Sequence, residues 1–401
     1  MRRREFLSTL GAAFFAASCA DRSEQRAYES EDKAALAAQR VREANASGKG
    51  PLGAHRYRGY RALAELPWFE LDSDGVLKCV DDSFDEAIDF HAHLGISVLF
   101  KPNLDLLKAS DRVQHLLDCD RSGADCEFDL DVYSNGNFDE AGLDKLANVT
   151  LTQGLWGNSV ARTHTVPNLL GEMRSMRIRQ SVILPIKLGL PFGDDLYESW
   201  RNAIGEASAS QALYLGQSVH PDDDNRIEMM RQYAAAGSRV IKLHPTVQKF
   251  YPDEARMMPI YEEAQDLNLI VFFHGGRAGV EPEERQNYAL PRFYEKVLAD
   301  FPRLQVVLGH AGARDGIAML ELALRYKNAW LGIHGQGITR LQDILKRTAG
   351  ERVLFGTDWP WYHQGSTLAK VLLCTNAPGD KDLRERVLSR NALELLPELK
   401  V

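Results

Sequence analysis

Eight short apolar runs recur along the chain, each followed by a longer stretch whose apolar residues repeat at helical spacing, and this alternation marks βα units on a parallel sheet. The runs begin at Ala87 (AIDFHAHL), Ser181 (SVILPI), Ala212 (ALYLGQSV), Val240 (VIKLHP), Leu269 (LIVFFHGG), Leu304 (LQVVLGHAG), Ala329 (AWLGIHG) and Arg352 (RVLFGTDW). From the third onward their starts lie 28, 29, 35, 25 and 23 residues apart. That regularity suits closure better than an open sheet, so the predicted fold is α/β, a (β/α)8 TIM barrel. Covering helices are predicted over 226–236, 259–267, 290–299, 317–326 and 338–348.

The first two runs are separated by 94 residues, which places a large insertion, about 101–178, in the loop after the first strand. Such loops lie on the catalytic face of a barrel, so this one is expected to cover the substrate. Ahead of the barrel, Trp68–Leu71 and Val76–Val80, joined by Asp72-Ser73-Asp74-Gly75, read as a β-hairpin. Residues 21–66 read as a polar tether with no assigned chemistry, and 67–401 as the barrel domain.

Residues 1–20, MRRREFLSTLGAAFFAASCA, set arginines before an apolar stretch too short to span a bilayer, the pattern of an export signal. Arg3-Arg4-Glu5-Phe6-Leu7 resembles the twin-arginine motif. A lipobox reading acylates Cys19 and anchors the protein to a membrane; cleavage by an ordinary signal peptidase is the competing reading. Either places the protein in the periplasm, where Cys119 and Cys126 are a plausible disulfide pair and Cys79 and Cys374 read as buried thiols. A net charge of -8 and pI near 5.8 leave no electrostatic footprint for nucleic acid. The acidic stretch 118–131 begins like a calcium loop, but Asp125 stands where an EF-hand wants an apolar residue and Asp129 where it wants Glu, so a solvated acidic loop is preferred.

The chemistry concentrates at the ends of the runs. Strand alternation in AIDFHAHL puts Asp89, His91 and His93 on one face, where two neutral imidazoles can converge on a cation. His274, His310 and Asp358 close the fifth, sixth and eighth runs. A buried histidine after four apolar residues is costly unless paired, and its repetition at successive strand ends argues for a shared ligand. His220 and His334 end the third and seventh runs, and Lys242 and His244 share a face of the fourth; all four are read as substrate-binding. His55, His115, His164 and His363 fall in loops and read as ordinary polar residues.

With DFHAHL, IKLHP, VFFHGG, VVLGHAG, LFGTDWPW and the tail RVLSRNALELL in place, residues 86–396 resemble the amidohydrolase superfamily, in its amidohydrolase-related branch. The resemblance implies one divalent metal, Zn²⁺ favoured, on His91, His93, His274 and Asp358. It gives proton transfer to Asp358 and carbonyl polarisation to His310. Binuclear members carry a carboxylated lysine on the fourth strand, so Lys242 raises a second metal, which is not favoured. The leading function is hydrolysis of an amide, ester or lactone of a small molecule by metal-activated water. The alternatives are non-oxidative decarboxylation of an unsaturated or aromatic acid, and an exported metal-binding barrel without turnover.

Overall fold

The computed structural model describes residues 26–97, 104–118, 120, 127–138, 143, 146, 149, 152, 157–190, 194 and 196–400. The export signal, Cys119, Cys126 and the centre of the acidic loop lie outside them. Cys79 is buried and Cys374 half-buried, both as free thiols.

Twelve strands are present among the described residues. Four precede or decorate the barrel: β1 (Arg56–Arg58) pairs antiparallel with β5 (Glu127–Asp129), and β2 (Phe69–Leu71) with β3 (Leu77–Cys79), the hairpin expected from its turn residues. The barrel strands are β4 (Ala87–Ala92), β6 (Ile178–Ile183), β7 (Leu213–Leu215), β8 (Val240–Leu243), β9 (Ile270–Phe273), β10 (Gln305–Leu308), β11 (Ala329–Gly332) and β12 (Val353–Leu354). They form two parallel groups, β4-β6-β7 and β8 through β12 in order. Two seams join the groups. Gln217 bridges to Ile241, with the Lys242 amide donating to the Gln217 carbonyl at 2.7 Å, and Ala92 bridges to Trp359, with the His93 amide donating to the Trp359 carbonyl. The sheet is thereby closed into the predicted TIM barrel.

The interior is filled by Ile88, Phe90, Val182, Leu184, Val240, Ile270, Phe272, Val307 and Leu354, against which the C-terminal Leu395, Leu396 and Leu399 pack. Asn391 ties that tail to the entry end of β12 by donating to the carbonyls of Gly350 and Val353. The opposite mouth is left to polar residues. Around the strands run α1 (Ser30–Ala46), α2 (Val166–Ser175), α3 (Leu196–Glu206), α4 (Arg226–Ala235), α5 (Met258–Asp266), α6 (Tyr294–Asp300), α7 (Gly316–Arg325), α8 (Ile338–Thr348) and α9 (Gln364–Cys374). In α8 the buried Ile338, Leu341, Ile344 and Leu345 form one stripe and Lys346 and Arg347 close the last turn, favourable to the helix dipole. The helix predicted from Leu290 begins instead at Tyr294, because Pro291 opens a 3₁₀ turn first.

The polar stretch before the hairpin is not merely a tether. Its helix α1 lies against the mouth: Arg292 pairs with Asp32 at 2.8 Å, Arg277 donates to the Asp32 carbonyl at 2.6 Å, and Arg40 donates to the Gly279 carbonyl at 2.8 Å.

Candidate metal centre

Strand β4 does not keep simple alternation. Its register against β6 shifts between Asp89 and Ala92, so Phe90 and His91 both reach Phe272, at ring distances of 6.4 and 4.8 Å. The predicted shared face of Asp89, His91 and His93 is therefore corrected: the irregularity turns the imidazoles to the mouth and leaves Asp89 on another side. There the Asp89 carboxylate accepts from the backbone amides of His91 (3.0 Å) and Thr357 (2.9 Å), the Thr357 hydroxyl (2.6 Å) and the Gln364 amide (3.2 Å). It braces the first barrel strand to the last. Burial pushes its pKa up to about 7, against the pull of those four bonds.

The imidazoles of His91 and His93 meet with their Nε2 atoms 2.9 Å apart. Asp358 Oδ1 lies 3.5 Å from the first and 3.3 Å from the second. The outer nitrogens are committed: His93 Nδ1 donates to the Leu184 carbonyl at 2.6 Å, and His91 Nδ1 lies 2.6 Å from His334 Nε2. With the outer nitrogens donating, both inner nitrogens present lone pairs beside a carboxylate; Lys242 Nζ lies 3.1 Å from that of His91, and a metal taking its place would be shared by all three groups. The donor set fits a divalent metal. Burial, with neighbouring imidazoles and Lys242, holds His91 well below the usual histidine pKa, the neutral form a ligand needs.

A second convergence of His310, His334 and Asp358 is geometrically close. Of its three members, His334 is otherwise engaged. His334 is fully buried, ring centroids 3.9 and 4.0 Å from those of His91 and His310, and its Nε2 accepts the His310 backbone amide at 3.0 Å. It acts as a wedge that sets both neighbours. His310 Nε2 faces Asp358 Oδ2 at 4.0 Å, and its Nδ1 lies 3.1 Å from the hydroxyl of Tyr133, a residue of the insertion.

His274 stacks on His244 at 4.1 Å and 8° and meets His310 edge-on at 4.5 Å, while its Nε2 lies 3.3 Å from Glu281 Oε1. Burial works to raise the Glu281 pKa, but the bonds from His274 and from the amides of Ala278 and Gly279 hold it low, a charged acceptor beside the ring. Lys242 is buried with Nζ 3.1 Å from His91 Nε2 and 4.6 Å over the Phe272 ring. Burial lowers its pKa to about 7, with Asp358 opposing. His220 stands apart at the rim, its Nδ1 accepting the Asp222 amide at 3.2 Å.

The strand-end motifs bend sharply to aim these groups. His310 (φ 54°) and Asp358 (φ 60°) both take the left-handed backbone that non-glycine residues avoid, a strain typical of functional positions. Gly276 is required beside them, since its φ is 70° and a Cβ there would run into the Gly312 carbonyl.

Sequence reasoning missed Tyr133, Glu281 and the bracing role of Asp89. Tyr133 sits in an insertion without a motif, and Glu281 in GVEPEE looks like any surface acid. It also read His115, His164 and His363 as ordinary loop residues. The structure buries the first two and half-buries the third: His115 Nε2 pairs with Glu172 Oε2 at 3.0 Å, His164 donates to the Gln114 carbonyl at 2.8 Å, and His363 caps α9. In the acidic stretch, Asp129 bonds Arg56 at 3.1 Å and Asp131 accepts the Thr339 amide at 2.9 Å.

Comparison with known proteins places this arrangement. The structure is similar to an uncharacterized TIM-barrel protein from Bordetella bronchiseptica (19% identity, TM-score 0.52, 79% of this chain and 100% of that one). It is also similar to 5-carboxyvanillate decarboxylase from Sphingomonas paucimobilis (15%, 0.53, 78% and 99%) and to the enzyme of that name from Novosphingobium aromaticivorans, solved with manganese and a nitrobenzoic acid (14%, 0.53, 81% and 98%). These likenesses concern the fold. A curated relative, the dihydroorotase of Shewanella baltica, is 25% identical over 118 residues, 28% of this chain, and the chain spans about a third of that relative's length. Residues 88–397, from the strand that carries the paired histidines to the closing tail, match the family described as Amidohydrolase, and over that span the chain belongs to the amidohydrolase family.

Proposed function

We propose that the protein is a metal-dependent hydrolase that cleaves an amide, ester or lactone bond of a small molecule. The observation that carries this reading is the placement of Asp358: one carboxylate oxygen lies beside the His91 and His93 Nε2 atoms, and the other faces His310. A divalent ion held by His91, His93 and Asp358 supplies Lewis acidity, which makes water a usable nucleophile near neutral pH and polarises a carbonyl. Asp358 Oδ2 then takes the water's proton and returns it to the leaving group. His310, kept neutral by burial first and by the neighbouring imidazoles and Lys242 next, donates from Nε2 to the oxygen that gains charge. His274 would complete the metal shell with Glu281 as the carboxylate partner of its ring, and His244 and Lys242 contact the substrate.

Zn²⁺ is the favoured ion, one per chain. The protein is exported by the twin-arginine route to the periplasm, with Cys19 as the lipid attachment point.

A second reading is non-oxidative decarboxylation of an aromatic or unsaturated acid, favoured by the decarboxylases among the similar solved structures. One experiment separates them. Purified protein loaded with Zn²⁺ or Mn²⁺ is incubated with a panel of lactones, amides, esters and aryl carboxylates, and products are followed by mass spectrometry. Hydrolysis is the expected result; carbon dioxide release without cleavage of any ester, amide or lactone contradicts the leading reading in favour of the second.

A further inference from the structure

The mouth holds contacts that the reaction above does not use, and they run from α1 through the insertion to His310. The Glu43 side chain, 12% exposed, accepts the backbone amide of Tyr133 through Oε1 and the Arg314 Nε through Oε2 at 3.3 Å. Arg314 also donates to the Ala278 carbonyl and lies 5.4 Å over the Tyr133 ring. Tyr133 is thus fixed at its backbone by one carboxylate oxygen and at its ring by a cation held on the other. Its hydroxyl is left with one described partner, His310 Nδ1 at 3.1 Å. On the opposite side of that imidazole, Nε2 faces the Asp358 carboxylate at 4.0 Å.

Which nitrogen carries the His310 proton decides what the ring can do. A proton on Nε2 makes the atom facing Asp358 a donor; a proton on Nδ1 turns a lone pair towards a carboxylate and stabilises no developing negative charge. A tyrosine hydroxyl that donates to Nδ1 selects the first form. We infer that Tyr133, held by Glu43 of the N-terminal helix, is a positioning residue that fixes His310 in its Nε2-protonated tautomer, so that the polar segment before the barrel is part of the catalytic apparatus. The N-terminal strap supports this placement over a wide arc, because α1 and its approach are pinned to the loops after β8 and β9 by Arg26–Asp253 at 2.6 Å and by the Asp32 and Arg40 contacts. The mechanistic part rests on the hydrolase reading; the tautomer does not.

The test uses full-length metal-loaded protein labelled with ¹⁵N-histidine. Long-range ¹H–¹⁵N correlation spectra, with His310→Gln to assign the signal, report the tautomer directly, and kinetics on any substrate found in the panel report its use. Wild type is expected to show Nε2–H alone. Tyr133→Phe and Glu43→Ala are expected to show mixed tautomers and kcat about 10- to 100-fold lower, with KM and metal content within about twofold. Glu43→Gln, which keeps an acceptor for the Tyr133 amide, is expected to retain most of the activity. A wild-type Nδ1–H signal, or an unchanged tautomer in both Tyr133→Phe and Glu43→Ala, overturns the inference. A panel without turnover contradicts the proposed function alone, since the spectra still decide the tautomer.

Discussion

Two buried histidine clusters flank the loop after β12, one on each side of the step from Asp358 to Trp359, and they are satisfied in opposite ways. On the Trp359 side, Glu172 accepts from His115, from the Trp359 indole at 3.2 Å and from the Gln364 amide at 2.7 Å. Each of its oxygens has a donor. On the Asp358 side, His91 and His93 spend their outer protons on neighbours and bring two lone pairs together. Both clusters are imidazoles beside a carboxylate, buried from solvent. The first is satisfied within the protein at its carboxylate; the second brings His93 Nε2, Asp358 Oδ1 and the His91 Nε2 that Lys242 contacts at 3.1 Å together in the pattern of a cation site. Partner accounting, rather than histidine density, is what separates scaffold from site.

The largest effect expected from this contrast comes from the metal side. His93→Ala or Asp358→Asn should abolish stoichiometric metal binding and lower turnover by about a thousandfold or more; His93→Ala also gives up the bond to the Leu184 carbonyl, so Asp358→Asn is the variant expected to unfold close to metal-free wild type. Metal analysis and thermal melts check this. Glu172→Ala should do the reverse: a loss of about 3–5 kcal/mol of stability, read by denaturant unfolding, with metal per folded chain unchanged. If Glu172→Ala folds as well as wild type and loses its metal, the two clusters have been assigned the wrong way round.

Glu281→Gln is a finer test. It weakens the charged acceptor that holds His274 in this structure, and if His274 is a ligand, as proposed, loss of its carboxylate partner should lower metal affinity about 10- to 100-fold in titrations, without the total loss expected for His93→Ala.

The smallest effect is in acid. Burial, only partly offset by the bond to the Gln114 carbonyl, lowers the His164 pKa from 6.5 to about 3. The unfolded chain therefore protonates first, so the contribution of His164 is complete above about pH 6.5 and is lost progressively down to about pH 3. Burial acts to raise Glu172, but His363 and His115 outweigh it and bring the carboxyl from 4.5 to about 2, which adds a loss between those values. Melting temperatures of wild type should fall as pH drops below 6.5, and His164→Gln should flatten the first part of that fall.

Much of the barrel was legible because its signals are local. A βα cadence needs only apolar periodicity, and all eight strands lie where the runs were read. The ends of the runs also named His91, His93, His310 and Asp358, since an imidazole after VVLG or a carboxylate in GTDWP interrupts a pattern that otherwise buries apolar groups. The details that depend on distant partners were not legible. Asp89 sits two residues before His91 and was placed on its face, because a register shift set by β6 leaves no trace in AIDFHAHL. His115 and His164 read as loop residues because the carboxylate and carbonyl that allow their burial come from elsewhere in the fold. Glu43 and Tyr133 lie 90 residues apart and become meaningful only where α1 crosses the mouth.

The most direct test compares the clusters in one measurement: metal content per chain, by inductively coupled plasma mass spectrometry, for wild type, His93→Ala, Asp358→Asn and Glu172→Ala, each stripped with chelator and reloaded with Zn²⁺. The expected result is about one ion per chain in wild type and in folded Glu172→Ala, and essentially none in the other two. Full metal retention by His93→Ala and Asp358→Asn would contradict the assignment of the metal to this end of the barrel.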